Sequence, residues 1–590
     1  MRFGRHIVVA GLLALVAALG SPVVATATHG GDREVTVGSN DNVFSQNKQN
    51  EPAVAVDANH PNVLAAGAND NIDMEACNAG DPTTCPFTEG VGVSGVQFSF
   101  DAGDTWIQPT YSGWSARHCV GPPGFTCTPQ VGPIGTLPWY FEEGLVSDGD
   151  PAVTFGPQPG PDGTFDWANG SRLYFANLTS NFSAQRDEQA FKGFEGIGVS
   201  RIDGQPALTP QVVADKNNWM RPVIASKQSS ATFADKEQIW ADNAASSEHF
   251  GNVYVCYAAF RGGGAAPLVV ATSRDGGDTW ANKQVSPAHN LAPRHFGQSG
   301  CTVRTDSQGV VYVFYEEFVS PSVTVPPPAT HFLVKSSDGG RSWTKPQAIQ
   351  RVTDPCFFVD PVIARCVMDG VAGARSDLAA APSADIANGA PSGADATDQI
   401  VLTWVDGRDG LNDEHVMVSS STNRGANWSA PAAVESLASD RGYYSAPALS
   451  PDGTDLYLVY NAFTTPFRDN TTDPRGLVGV VLHANIGAGG APSGWTQLHR
   501  GAEGDPRASA QNNLQAEFLG DYVYAAATRD YGAAVWNDVR NGAVCPAINA
   551  WRAVLPTDPA ATPPAPNVDC PATFGNTDIF GGSYTDPSTP

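Results

Sequence analysis

One octet constrains this chain more than any other feature. Ser273-Arg274-Asp275-Gly276-Gly277-Asp278-Thr279-Trp280 returns as Ser336-Ser337-Asp338-Gly339-Gly340-Arg341-Ser342-Trp343 and, earlier, as Ser99-Phe100-Asp101-Ala102-Gly103-Asp104-Thr105-Trp106. A worn copy reads Ser421-Thr422-Asn423-Arg424-Gly425-Ala426-Asn427-Trp428. The shared pattern is Ser-x-Asp-x-Gly-x-Ser/Thr-Trp, and each residue type has a task in a β-hairpin turn. The carboxylate (or Asn amide) accepts hydrogen bonds from N–H groups ahead of it, the glycine takes a positive φ, and the tryptophan opens the next strand with a large buried surface. A single copy would specify a turn; recurrence specifies a repeated unit.

Short β-rich runs fill the intervals, so that a unit of roughly 60–90 residues recurs along the chain. Each opens on an acidic residue or a proline, continues in an aromatic-rich second strand, and leads through a third strand toward the octet position. First strands begin at Asn50-Glu51-Pro52, Asp150-Pro151, Asp235-Lys236-Glu237, Gly300, near Ser376, at Tyr444 and at Phe518, which makes seven units. The last runs through Ala533-Ala534-Val535-Trp536 and Ile548 to Val554, then stops one strand short. Arg33-Glu34-Val35-Thr36-Val37 stands before the first unit as a strand to spare. A ring closed by its N-terminal strand accounts for both ends. Gly 61, Pro 46 and only 16% charged residues fit many short strands and turns rather than helices.

The termini and the cysteines set the address. Arg2 and Arg5, the apolar run Ile7 to Gly20 and the small residues to Ala27 make residues 1–27 a secretory signal peptide. Residues 28–49 form an N-terminal segment with the closing strand, 50–556 the propeller, and 557–590 a C-terminal tail. No later stretch has about 18 consecutive apolar residues, so no membrane span is expected and the mature chain reads as secreted. Ten cysteines suit an oxidising compartment. Short spacings suggest Cys77–Cys85, Cys119–Cys127, Cys356–Cys366 and Cys545–Cys570, the last tying down the tail. Cys256 and Cys301 are left either as a fifth bridge or as two buried thiols. A net charge of -26 argues against nucleic acid or anionic membrane as partners.

The octet is the Asp box of the sialidase-like β-propellers, and over most of its mature length the chain resembles that superfamily, secreted bacterial-type exo-α-sialidases in particular. The resemblance implies an all-β fold: a single propeller of four-stranded blades with the boxes between third and fourth strands, away from the ligand face. Sialidases have six blades, so six or seven are expected here, and the unit at Asp150, which lacks a box, is the first to surrender.

Starts of first strands and ends of second strands share one face of such a ring. The starts supply Glu51, Asp150, Asp235 with Glu237, Tyr443-Tyr444 and Asp521-Tyr522. The ends supply Asn69-Asp70, Arg261, Glu316-Glu317, Asp406 with Arg408, and Asp538 with Arg540. The resemblance implies Tyr444 as nucleophile, Glu317 or Glu237 as its base and Asp70 as the acid. Arg261, Arg408 and Arg540 would clamp a substrate carboxylate, with Asp150 and Asp235 as further substrate contacts. Two features count against this. Sialidases carry Arg-Ile-Pro on the first strand of the first blade, whereas the slot here reads Asn50-Glu51-Pro52, and Met220-Arg221-Pro222 lies between units. The stretches Trp404 to Arg408 and Trp536 to Arg540 also repeat one Trp-x-Asp-x-Arg motif, which favours blade architecture over a unique site.

The expected function is a sialidase-like glycoside hydrolase of the exo-α-sialidase type acting on extracellular glycans or glycoproteins. The alternative is a non-catalytic propeller that binds glycan or protein. No cofactor and no catalytic metal are expected, although Asp-rich turns leave room for a structural Ca²⁺; a monomer is expected. Peptide mapping without reductant tests the oxidised reading: linked peptides are expected for Cys77–Cys85, Cys119–Cys127 and Cys356–Cys366, and free thiols at these six positions would contradict it.

Overall fold

A computed structural model describes residues 29–39, 44–75, 88–119, 128–182, 191, 193–227, 229, 231–261, 266–288, 296–370, 374–487, 489–510 and 514–587. Residues 1–27, read above as a signal peptide, and the expected pair Cys77–Cys85 lie outside these residues, as does Cys127. Seven antiparallel sheets follow one another round a ring. Blade I holds Gln49–Val56, Leu64–Asp70 and Ser94–Ser99. Blade II, the unit without an octet, is a full sheet of Leu145–Pro157, Ser171–Asn181, Gly196–Gly204 and Trp219–Ile224. The first strands of blades III to VI are Thr232–Ala241, Phe296–Thr305, Ser383–Ile386 and Arg441–Leu449, each followed outward by three more. The ring therefore has seven blades, and the unit at Asp150 stays.

Blade VII corrects the reading of the C-terminus. Its inner strands are Tyr524–Ala527 and Tyr531–Asp538, but Ile548 to Val554 is not the third. Those residues lie in the helix Pro546–Val554, which buries Ile548, Asn549, Trp551 and Arg552. The third strand is Asp578–Thr585, within the stretch assigned to a tail, and Arg33–Glu34 pairs with it as the fourth. Closure by the N-terminal strand is as expected. The spacing of the buried Ile548, Trp551 and Leu555 and the Pro at the start belong to a helix, and the strand reading overlooked both.

The octets close the hairpins between third and fourth strands of blades III, IV and V, and stand just beyond the third strand of blade I. In the first full copy, Ser273 Oγ donates to Asp275 Oδ1 (2.8 Å) and accepts from Gly277 N (2.8 Å), while Thr279 N and Oγ1 donate to the two carboxylate oxygens (3.0 and 2.5 Å). The copies at Asp101 and Asp338 repeat all four bonds. At Asn423 the hydroxyl bond is lost, because Asn427 replaces Ser/Thr, and three remain. The glycines sit at φ 93°, 92°, 80° and 74° at positions 103, 277, 340 and 425, where a Cβ would be strained. Each tryptophan packs into the seam with the preceding blade: Trp106 between VII and I, Trp280 between II and III, Trp343 between III and IV, Trp428 between IV and V.

The open cysteine question resolves as a bridge: Cys256 of blade III is bonded to Cys301 of blade IV, a covalent link between neighbouring blades. Cys356–Cys366 and Cys545–Cys570 form as expected, and Cys119 is also disulfide-bonded. Cys356–Cys366 closes a loop in the long connection between blades IV and V, whose short strands Phe358–Val359 and Cys366–Val367 pair across it.

The seam packing predicts graded stability losses. Trp106 is 8% exposed, whereas Trp280 and Trp343 are only partly buried. Trp106→Ala is expected to cost ~3–5 kcal/mol and Trp280→Ala or Trp343→Ala about 1–3 kcal/mol, measured by urea unfolding. Equal losses at all three sites would contradict the seam placement.

Candidate active site

The site is built by a defect that blades I to IV share. Near its start, each first strand slips register against its neighbour, at Asn50/Ala53, Gly149/Ala152, Asp235/Gln238 and Ser299/Thr302. The extra residue adopts a positive φ: Glu51 at 55°, Asp150 at 50°, Lys236 at 58° and Gly300 at 62°. Bulges of this kind re-aim side chains, and three of these four residues meet across the channel mouth. Lys236 Nζ lies 2.6 Å from Asp521 Oδ2, 3.3 Å from Asp150 Oδ2 and 3.9 Å from Asp235 Oδ1. Asn69 ties blades I and II, donating to Glu51 Oε2 (2.5 Å) and accepting from Asp150 N (2.8 Å).

A second cation comes from outside the blades. Arg375, in the connection between blades IV and V, places a guanidinium nitrogen 2.8 Å from Asp521 Oδ2 and 3.8 Å from Glu51 Oε1. Its guanidinium stands 4.3 Å from the centroid of the Phe518 ring. Its backbone carbonyl accepts from both Tyr443 and Tyr444 hydroxyls, at 2.7 and 2.8 Å, and Tyr444 Oη stands 3.4 Å from Asp521 Oδ1. Beneath, Lys236, Glu237, Tyr444, Asp521 and Tyr522 line one cavity in the channel.

Burial drives the charge states apart. At Asp521 burial opposes ionisation, but the Arg375 and Lys236 charges outweigh it and hold the carboxyl well below its usual range. Burial pushes Glu237 well above the usual range, with Asp150 and Asp235 adding to it, and neither carboxyl oxygen has a hydrogen-bond partner. Glu51 is likewise raised, by burial and then by Asp150 and Asp521, and Asp235 is raised to about 6 by burial against the pull of Lys236. Burial also raises the Tyr444 phenol, with the Tyr443 and Asp521 charges reinforcing it. One ionised carboxylate and one protonated carboxyl therefore line the same cavity, the division of labour that acid–base chemistry needs.

Of the residues expected at second-strand ends, Asn69 joins them and the candidate acid, base and arginines do not. Asp70 is fully buried within blade I, accepting from Ser39, Gln49, Gln108 and Ile72 N, and caps the turn at Asn71–Asp73. Glu317 accepts from Gln298 Nε2 (2.9 Å) across its own sheet. Arg261 is exposed and reaches Gln284. Arg408 bonds Asp406 (2.6 Å), which also accepts from Trp404 Nε1 (2.9 Å); Arg540 bonds Asp538 and Asp32, each at 2.7 Å, with Trp536 Nε1 on Asp538. The Trp-x-Asp-x-Arg motif is thus one local ion-pair unit used twice. Second strands stand one ladder spacing, about 5 Å, farther from the axis, and each of these side chains finds a partner before it reaches the mouth.

No family model matches the sequence, and no curated protein does. Among solved structures the chain is similar to a Hadza microbial sialidase, with 13% identity and a TM-score of 0.37 over 71% of this chain and 64% of that one. It is similar to the α-L-arabinofuranosidase Arb93A of Fusarium graminearum, with 11% identity and a TM-score of 0.37 over 73% and 92%. Trypanosoma rangeli sialidase gives 12% identity and a TM-score of 0.36 over 75% and 55%. The chain spans less than two thirds of either sialidase's length. Each is a likeness of fold.

Two residues central to the mouth, Lys236 and Arg375, were missed from sequence. Lys236 stands between two acidic candidates at a strand start, and a lysine there reads as their solvent-facing partner. Arg375 lies in the long connection between blades IV and V, and only the length of that connection could have pointed to it.

Several buried carboxyls share a raised value: Asp73 and Asp235 at about 6, Asp242 at about 7, Glu517 at about 8. A carboxyl whose folded value lies above its unfolded one holds its proton longer in the native state, so stability falls as pH rises between the two. The melting temperature is expected to decline from pH 5 to pH 8. Asp521, shifted the other way, contributes a loss only as pH falls below about 4. A melting temperature that climbs from pH 5 to 8 would contradict these environments.

Proposed function

We propose that the chain is an exported glycoside hydrolase acting on extracellular glycans from the mouth of the propeller channel. The observation that carries the reading is the single cavity that brings together Glu237, Tyr444 and Asp521. Glu237, held protonated, gives its proton to the departing glycosidic oxygen. Tyr444 Oη attacks the anomeric carbon while Asp521 takes the phenol proton, and water then releases the sugar with Glu237, now ionised, as base. The raised phenol makes Asp521 indispensable, because Tyr444 cannot ionise unaided. Export is supported by the leader sequence and the disulfides, and among the described residues no helix is long and apolar enough to cross a membrane.

Specificity follows from the arginines. Arg261, Arg408 and Arg540 do not meet, and Lys236 and Arg375 are already engaged by Asp521, so among the described residues these five cations offer a substrate carboxylate no vacant clamp. A neutral sugar at the cleaved position fits better than a sialic acid. A second reading, a glycan- or protein-binding propeller without turnover, is favoured by one contact: the Arg375 carbonyl occupies both tyrosine hydroxyls.

Aryl glycoside assays separate these readings. Turnover of a neutral aryl glycoside is expected to exceed that of an aryl sialoside by more than about tenfold, the value of one charge-assisted contact. Glu237→Gln and Asp521→Asn should each lower kcat by about 100-fold or more, with folding checked by circular dichroism. No turnover of any glycoside tested, together with measurable glycan binding, would favour the binding propeller instead.

A further inference from the structure

The octet face, opposite the mouth, carries a ligand set that the proposed chemistry does not use. Asp455 begins the second strand of blade VI, Asp455–Phe463; His483 lies near the end of the third, Leu477–Ile486; Asp586 follows the blade VII strand Asp578–Thr585. His483 is fully buried, and its Nε2 is aimed between two carboxylates, 2.9 Å from Asp455 Oδ1 and 3.7 Å from Asp586 Oδ1. The three ligand atoms all lie within 4.8 Å of one another. The other ring nitrogen, Nδ1, is buried with no hydrogen-bond partner, and the ring packs against Tyr457 at 5.2 Å. Asp452 and Asp530 add to the negative field felt by Tyr457.

We propose that Asp455, His483 and Asp586 bind a divalent transition ion, Zn²⁺ by preference, that staples the C-terminal end of blade VII to blade VI. Metal–ligand bonds of about 2.1 Å in a tetrahedron put ligand atoms about 3.4 Å apart, and the observed 2.9 and 3.7 Å bracket that value. One imidazole with two carboxylates suits Zn²⁺ or Mn²⁺. Ca²⁺ prefers six to eight oxygens, so this is not the calcium that Asp-rich turns suggested. The three protein ligands leave the fourth position to water. The position explains the use: Asp586 follows the strand on which Arg33–Glu34 closes the ring, so a staple there would hold the closing sheet against its neighbour.

The test uses the full mature chain, freed of any tag and dialysed against chelator. Titrated with Zn²⁺, the protein should take up close to one equivalent by elemental analysis after gel filtration, and its melting temperature should rise by about 3 °C at saturating metal. Ca²⁺ should do neither. Asp586→Asn, at a partly exposed position that the fold tolerates, should weaken Zn²⁺ binding at least about tenfold; His483→Gln should abolish it. Unchanged Zn²⁺ affinity in Asp586→Asn would overturn the site, even if His483→Gln failed to fold. A wild-type melting temperature indifferent to metal would also overturn it and leave His483 as a hydrogen-bond partner of Asp455 alone.

Discussion

The ring depends on one short pairing. Arg33 and Glu34 face Gly581 and Phe580 across a strand pair only two residues long, yet this pair turns seven separate sheets into a closed structure. It holds because the segment around it is tied down along the last blade. Val35 N bonds Ile579 O at 2.7 Å, Thr36 Oγ1 accepts from Ile579 N, and Gln49 N bonds Thr577 O at 2.7 Å. Val35 and Ile579 are fully buried in the seam between blades VII and I, where Trp106 of the first octet also packs. The cost of bringing together residues more than 500 apart grows only logarithmically with that separation, while every seam in the ring gains from closure. Each blade keeps its own short edges, but the closing strand covers the third strand of blade VII, where an edge would otherwise stand open.

Closure also creates the axis, and the axis creates the electrostatics. With inner strands converging, Lys236 of blade III reaches Asp521, which precedes blade VII, across the channel. Such a network is poor evidence of stability, since desolvating two cations and several carboxylates costs as much as their attraction returns. It is better evidence of a geometry held for use. Removing one member would strand the others: without Asp521, Lys236 would keep only Asp150 and Asp235 beside it, and Arg375 only Asp377 at 3.8 Å and the buried Glu51 carboxyl.

Sequence made the fold legible and the site only half so. The octets stood out because their residue types are dictated by local hydrogen bonds, and the structure has those bonds at Asp101, Asp275 and Asp338. The first-strand starts Glu51, Asp150, Asp235, Glu237, Tyr444 and Asp521 could be placed because blade repetition fixes their height and radius. What repetition cannot give is which neighbour a side chain chooses. Arg408 and Arg540 stood at plausible heights, but each has an aspartate two residues back that captures it. Arg375 belongs to an insertion with no repeat partner, and its backbone is placed by pairing with Val367, next to the bridged Cys366, not by any periodicity. The helix at Pro546–Val554 was misread for a related reason: the last blade interrupts its own repeat with an insertion before its third strand.

Arg375 decides how the mouth can work. Its guanidinium holds Asp521 ionised, and its carbonyl holds Tyr443 and Tyr444, so it organises the reactive groups and at the same time occupies them. On the proposed reading, a substrate that pushed the arginine aside would free the phenols and release Asp521 from one of its two cations, which raises the carboxyl and makes it a stronger base for the Tyr444 proton. Lys236, still 2.6 Å from Asp521 Oδ2, would keep it ionised. The productive arrangement on that reading is one in which the Arg375 carbonyl gives up the two phenols it now accepts from, and a sugar hydroxyl can replace it as the hydrogen-bond acceptor for Tyr443. A carboxylate arriving in the same place would instead compete with Asp521 for the guanidinium itself, which is the physical reason the proposed substrate is a neutral glycan rather than an acidic one.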